Sequence, residues 1–386
     1  MTLHWIRRTT ALAALTALCL LPVGTTPDAD AGMHLGRPSV HSCDDLFAWR
    51  SCSDAWERWL GKSKSNNGKA KHGYMVSRGG NKASSNPTTV PVVDDDLKFS
   101  VFWTHEQIQT RMANRVSRGA GTTIAVLDGG FNLYHPAIRD NLMGSGYDAV
   151  DGDYDAHDTG NWFDDDYDGL VDSAAGHGTF VAGLIVQVAP EATILPIRVR
   201  DDEGWGTNKE LEDGLMRAFM MGADVINISG QTTTGRSRHI TNMVEYFSRA
   251  GIVVVNSAGN DGYEWISQVG DEGTALVVGA VNQDDQIAEF SNRPAAPGRM
   301  FVYAPGVDLY GPLGIHGDWD NYGYWSGTSF SCALVSGGAA LLKSAKPWWP
   351  ASEVIHVLMT EADPVRDAWG RPTGYSRINL AKAVSR

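Results

Sequence analysis

The sequence predicts an α/β fold, a mostly parallel central sheet covered by helices on both faces over residues 99–386, with a small N-terminal extension in front of it. Three observations predict this. Residues 122–127, 193–199, 225–229, 252–257 and 275–281 are short runs rich in Ile and Val, continuous rather than alternating, as strands buried on both faces are. Segments with helical spacing lie between them, the clearest carrying Leu211, Leu215, Ala218 and Phe219 between a Thr207-x-x-Glu210 capping box and Gly222. Strand alternating with helix along a chain is the signature of a parallel sheet with helical crossovers. No internal repeat interrupts the pattern.

Ahead of that region the chain opens as an export signal. Arg7 and Arg8 precede an apolar run over residues 11–21, and Ala29-Asp30-Ala31 places small residues for cleavage, so residues 1–31 are expected to be removed. The run is too short to span a bilayer, and no later stretch reaches the roughly 20 apolar residues of a span. The expectation is a secreted or otherwise extracytoplasmic protein with no stable membrane insertion.

Cys19 would leave with the signal, which keeps Cys43, Cys52 and Cys332. Cys43 and Cys52 are the plausible pair, and closing so short a loop contributes roughly 2–3 kcal/mol. Nine residues of continuous helix would hold their Cα atoms about 13 Å apart, beyond the reach of a disulfide. The amphipathic segment with Trp56, Trp59 and Leu60 is therefore predicted to start at Ser53, a good N-cap. Cys332 is expected to be a buried free thiol. Residues 32–61 form a small N-terminal unit or pro-segment, and residues 62–98, rich at first in Ser, Asn, Gly and Lys, read as a flexible linker.

Composition excludes other classes. With 42% hydrophobic residues and 13 Trp, 12 Tyr and 11 Phe in 386, the chain has the material for a packed core and is not disordered as a whole. Lys plus Arg number 32 against 45 Asp plus Glu, and a net charge of -13 argues against a nucleic-acid partner.

In open parallel sheets the reactive groups gather beyond the carboxyl ends of the strands, and three segments stand out there. Ile124-Ala125-Val126-Leu127-Asp128-Gly129-Gly130 ends a buried strand on an acid and a glycine turn. Gly176-His177-Gly178-Thr179 sets a histidine at the start of a helix of small and apolar residues, where glycines allow another backbone to approach closely. Gly327-Thr328-Ser329 leads into an apolar helix that places Ser329 at its N-terminus, where unpaired N–H groups and the dipole favour developing negative charge. Each alone has a plain structural explanation as a turn, a core histidine or a cap. Together they supply what a weak hydroxyl nucleophile needs: a base to take its proton and an acid to fix the tautomer of that base. The order Asp, His, Ser differs from that of chymotrypsin-like enzymes and α/β-hydrolases, and no G-x-S-x-G elbow surrounds Ser329.

On these segments, over roughly residues 100–386, the chain resembles the subtilisin-like (subtilase) serine peptidases. Asn256-Ser257-Ala258-Gly259-Asn260 matches the oxyanion segment of the family, and Ala304-Pro305-Gly306 another recurrent stretch. The resemblance implies a three-layer sandwich and a serine endopeptidase in which Asp128 supports His177, His177 is general base and then acid, and Ser329 attacks the scissile carbonyl of a protein or peptide. Asn260 and the Ser329 N–H would hold the oxyanion, and Ser229 and Gly230 would pair with the substrate backbone. The chain departs from the family pattern in places. Gly129 stands where Ser or Thr is usual, Phe330-Ser331-Cys332-Ala333 replaces Met-Ala-x-Pro, and Ser229-Gly230-Gln231-Thr232 replaces Ser-x-Gly-Gly. These put in doubt the support of the acid, the packing of the helix start and the shape of the specificity pocket.

Between Asp128 and His177 lies an acidic insertion. From Asp148 to Asp172 there are ten Asp and no Lys or Arg. Asp164, Asp166, Asp168, the carbonyl of Leu170 and Asp172 have the spacing of oxygen ligands in a calcium loop, although Ala175 occupies the twelfth position where a bidentate Glu is usual. A structural calcium is therefore expected, against the alternative of a solvated acidic loop. Two other functions fit a fold of this kind, a catalytically silent binding protein and an ester hydrolase. The full Asp-His-Ser-Asn set opposes the first and a strand able to pair with peptide opposes the second.

Overall fold

A computed structural model describes residues 88–90, 103–158, 160, 163, 172, 174–230, 237–266, 269, 275–295, 299–314, 321–366 and 371–386. The chain divides into two compact units, residues 1–69 and 70–386, and all the described residues belong to the second. The export signal, the 32–61 unit, the Cys43–Cys52 pair, the Ser53 helix start and most of the 62–98 linker lie outside the described residues.

The elements in chain order are β1 (Thr88–Val90), α1 (Trp103–Gln107), α2 (Thr110–Ala113), β2 (Thr123–Asp128), β3 (Tyr147–Asp148), α3 (His177–Val188), β4 (Thr193–Arg198), α4 (Asn208–Met220) and β5 (Val225–Ile228). They continue as α5 (Arg238–Arg249), β6 (Val253–Ser257), β7 (Leu276–Val281), β8 (Phe301–Pro305), β9 (Leu309–Pro312), β10 (Tyr322–Trp325) and α6 (Thr328–Ala345). The last are α7 (Ala351–Thr360), β11 (Ala362–Arg366), β12 (Pro372–Ile378) and α8 (Leu380–Val384). Nine strands form one sheet in the order β11-β12-β8-β7-β6-β5-β2-β4-β3, parallel throughout except for the β11–β12 edge.

This is the predicted architecture, and the five apolar runs are five of its strands. Their two faces are separately covered. Ile124, Val126, Val225, Val253, Val255 and Val278 share a core with Phe180 and Ile185 of α3 and Leu334 and Leu341 of α6. On the other face α4 approaches so closely that a Cβ at Gly214 would run into Val199, with Ile197 and Leu127 next to it. Helix α4 has the predicted start, Glu210 N–H donating to Thr207 Oγ1 while Glu210 Oε2 accepts from Thr207 N–H. It ends at Gly222, whose φ of 77° is the left-handed conformation that glycine adopts without strain.

One part of the predicted linker is structured. Thr88–Val90 forms a strand antiparallel to β10, completing a small sheet β1-β10-β9. Three residues are too few to show a period, but β-branched types followed by Pro91 favour extended backbone.

The chain reaches β4 on one side of β2 and then crosses to β5 on the other, so the loops leaving these strands diverge and open a crevice at their carboxyl ends. Asp128 ends β2, Ser229 follows β5 and Asn260 lies three residues past β6. Three segments far apart in sequence therefore arrive at one edge of the sheet.

Candidate active site

Helix α3 begins on Gly176, whose φ is 78°, and is drawn hard against the end of β2. A Cβ on Gly178 would overlap the Gly130 carbonyl oxygen, so glycine is what allows the two backbones to meet. Asp158 helps to hold this helix start, its Oδ2 accepting the Gly176 N–H at 2.6 Å. Burial pushes the Asp158 carboxyl up to about 6 against the hydrogen bonds that favour its anion.

The close approach brings His177 to Asp128. The Nδ1 to Oδ1 distance is 2.8 Å, with the carboxylate fully buried and the imidazole 14% exposed. A carboxylate can only accept, so Nδ1 carries the proton and Nε2 presents the lone pair. Asp128 Oδ1 also accepts the Gly129 N–H at 2.7 Å and Arg200 Nη2 at 2.5 Å. Burial opposes the charge on Asp128, but the His177 and Arg200 charges, with the hydrogen bonds from His177 and Gly129, outweigh it and hold the carboxyl below its usual range.

The imidazole sits in an aromatic enclosure. Its ring is 5.3 Å from Phe330 and 5.6 Å from Trp325, the latter edge-on, and Phe180 packs against both of these aromatics. Phe330 is one of the departures from the family pattern, and its place is here, beside the base. Ser329 immediately precedes it in the first turn of α6. Its Oγ lies 3.4 Å from the Ser229 carbonyl oxygen, and among the described residues no hydrogen bond joins it to His177. A turn about the Ser329 side-chain torsion moves the hydroxyl away from that carbonyl.

Asn260 is anchored by its oxygen. Oδ1 accepts from Thr328 N and from Thr328 Oγ1, each at 2.9 Å, which fixes the direction of the Nδ2 donor relative to Ser329. The Ala304-Pro305-Gly306 stretch braces the same helix start, since Ser331 Oγ donates to the Pro305 carbonyl at 2.9 Å and Gly327 N–H to the Gly306 carbonyl at 2.8 Å. Ser229 is buried and donates from Oγ to the Ser329 carbonyl at 3.0 Å, while the Gly230 carbonyl accepts from Asn256 Nδ2 at 3.3 Å. Gln231 and Thr232 lie outside the described residues. Cys332 is a buried free cysteine, as expected, and burial pushes its thiol up to about 12.

Of the candidate calcium ligands, Asp164, Asp166, Asp168 and Leu170 lie outside the described residues. Asp172 is buried with a φ of 47°, and its N–H donates to Glu203 Oε1 at 3.1 Å. Burial, with the charge of Asp172 adding to it, raises the neighbouring Asp202 carboxyl above its usual range. Among the described residues no group of three or more His, Cys, Asp or Glu is arranged to hold a metal ion. No helix among them is long and apolar enough to cross a membrane.

Sequence reasoning missed two contributors. Trp325 sits in a Gly- and Tyr-rich stretch with no motif around it. Arg200 begins the loop just beyond β4, at the carboxyl edge where reactive groups gather; that position was the available signal.

Comparison with known proteins agrees with the geometry. The family model described as the Subtilase family matches residues 119–377. The chain is 32% identical over 83% of its length to a thermophilic serine proteinase of Bacillus sp. (strain AK1), covering 80% of that protein. It is 31% identical over 72% of its length to thermitase of Thermoactinomyces vulgaris, covering 94% of it. Among solved structures, a protease of Pseudoalteromonas arctica PAMC 21717 superposes with a TM-score of 0.64 at 26% identity, over 72% of this chain and 93% of that one.

Proposed function

Because the chain belongs to the subtilase family and is a subtilisin-like serine endopeptidase acting on proteins or peptides, we propose that Asp128, His177 and Ser329 are its catalytic triad and that peptide bonds are cut through an acyl-enzyme. The observation that carries this is the 2.8 Å contact of His177 Nδ1 with the buried Asp128, beside the first turn of the helix that presents Ser329. His177 Nε2 takes the Ser329 proton as Oγ attacks the carbonyl carbon, and returns it to the leaving amine. Water then repeats the sequence and releases the acid. A fluorophosphonate probe tests the assignment: the mature protein is labelled at Ser329 and Ser329→Ala is not. A mature protein that hydrolyses peptide yet is labelled elsewhere overturns it.

The Asn260 amide and the Ser329 N–H stabilise the oxyanion, at the positive end of α6. Asn260→Ala is expected to lower kcat by about 10² to 10³ with little change in KM. Asn260→Asp keeps an oxygen for Thr328 but replaces the donor with an anion beside the developing oxyanion; steady-state kinetics should show a turnover defect at least as large as that of the alanine variant. An extended substrate pairs with the backbone of Ser229 and Gly230.

Export on the 1–31 signal makes this a secreted enzyme, followed by the 32–61 unit or pro-segment and the linker, less the three residues of β1. Calcium belongs to the acidic insertion, held by Asp164, Asp166, Asp168, the Leu170 carbonyl and Asp172. An oxygen-only donor set suits a hard cation, and the crowding of Asp172 against Asp202 is what such a charge relieves. Chelation is expected to lower the thermal midpoint by about 5–10 °C, the scale of losing a ligand that binds only the folded state. An unchanged midpoint in excess chelator removes the metal.

A further inference from the structure

Among the described residues, Arg200 is a charged group in contact with Asp128 and His177 that the proposed mechanism does not use. Its side chain is 7% exposed, and a buried guanidinium requires a partner. Among the described residues the carboxylate within ion-pair distance is Asp128, at 2.5 Å. Nη2 also lies 3.4 Å from His177 Nδ1; both atoms are donors, so this is proximity of charge rather than a hydrogen bond. The guanidinium occupies room that a side chain at residue 230 would compete for, since a Cβ on Gly230 would stand 3.4 Å from Nη1 and 3.5 Å from Cζ. Gly129 brings no side-chain donor to the acid, and Arg200 does.

We propose that Arg200 is a positioning residue of the triad, whose permanent charge shares the Asp128 carboxylate with His177, fixes it in place, and opposes the second positive charge that protonation of the base would bring. This rests on the triad reading. Without Arg200 the imidazole would face a full carboxylate charge; with it, the imidazole faces an ion pair already neutral. Loss of Arg200 is therefore read in the acid limb of the pH profile.

The other charged or titratable groups around the pair can be named. Asp158 holds the start of α3, its Oδ2 accepting the Gly176 N–H, and burial pushes its carboxyl up to about 6. Asp201, on the β4–α4 loop, lies near Arg200 and Arg198, and its carboxyl is engaged by the Glu203 and Trp205 N–H groups. Cys332 on α6 is a neutral thiol bonded to Asn227 Oδ1, and Trp325 and Phe330 bring no charge. Asp172, Asp202 and Glu203 stand further out, behind Ala174, whose N–H donates to the Asp202 carbonyl. Of these, Arg200 alone is a permanent cation on the shared oxygen, so a change at residue 200 is read as the difference between two profiles in which the rest are common.

The test is the pH dependence of kcat/KM on a chromogenic peptide for the full chain, its Arg200→Met and its Arg200→Lys. The acid limb is expected to move toward neutral by about one pH unit in Arg200→Met, giving about tenfold lower kcat/KM at the foot of the limb, and to return most of the way in Arg200→Lys. Arg200→Gln keeps an N–H donor for Asp128 and loses only the charge; it replaces the methionine variant if that chain does not fold, with the same expected shift. A neutral variant whose limb coincides with wild type overturns the proposal, as does a lysine variant that matches the neutral one. Wild type that neither hydrolyses peptide nor reacts with the fluorophosphonate sinks the triad reading itself, whereas an active, labelled wild type with an unmoved limb in the variants sinks only the role of Arg200.

Discussion

Ser329→Ala is expected to lower kcat by about 10⁶-fold and to abolish fluorophosphonate labelling, with a thermal midpoint close to that of wild type. The size of the loss follows from covalency: without Oγ there is no acyl-enzyme, and the oxyanion donors and bound-substrate geometry alone act on a water that nothing activates. The small structural effect follows from what the hydroxyl touches. Its contact is a 3.4 Å approach to the Ser229 carbonyl, at the long limit for a hydrogen bond, and its removal leaves the first turn of α6 braced by Asn260 and Gly306. A circular dichroism melt beside the kinetics separates lost chemistry from lost fold. N-terminal sequencing of the same two secreted proteins reads a second outcome: if the enzyme removes its own extension, that extension persists in Ser329→Ala.

Asp128→Asn is expected to lower kcat by about 10⁴-fold and, in this protein, also to destabilise the fold. The amide that replaces the carboxylate can turn its NH₂ toward Nδ1, which then accepts and leaves the proton on Nε2, the nitrogen that must take one from Ser329. The second effect comes from Arg200. Its guanidinium is buried against Asp128, and neutralising the carboxylate strands a charge that has no nearer solvent than its own 7% exposure, a penalty on the order of 3 kcal/mol. Adding Arg200→Met to Asp128→Asn should restore most of the lost thermal midpoint and none of the lost turnover. The two measurements therefore dissociate stability from tautomer control, and equal midpoints for Asp128→Asn and wild type would refute the buried pair as a stability element.

Much of this molecule was legible because its information is local. Strands buried on both faces need apolar residues at every position, so β2, β4, β5, β6 and β7 stand out as runs whose ends fall within a residue or so of those observed. The Thr207–Glu210 cap is visible because both of its bonds join residues three apart. The Asp128 and His177 segments stood out for a related reason: Gly130 and Gly178, where a Cβ would collide with neighbouring backbone, sit beside them in the sequence. The β9–β10 pair was not legible, since Leu309–Pro312 and Tyr322–Trp325 carry Gly, Pro and Tyr rather than an apolar run. Nor was β1, three residues long within a stretch of linker composition.

By itself the sequence determined the layered parallel sheet, the order of its chemical groups along the chain and the presence of a capped, glycine-punctuated edge. Tertiary structure alone decided which groups share that edge: Arg200 with Asp128, 72 residues apart, and the Trp325 and Phe330 rings around His177. The reason is physical. Burial periodicity, caps and turns are energies between neighbours in the chain, which composition and spacing record. The choice of a charge partner across a sheet is an energy between strangers in the chain, fixed only once the strand order sets β4 beside β2 and the loss of solvent compels the guanidinium to find a carboxylate.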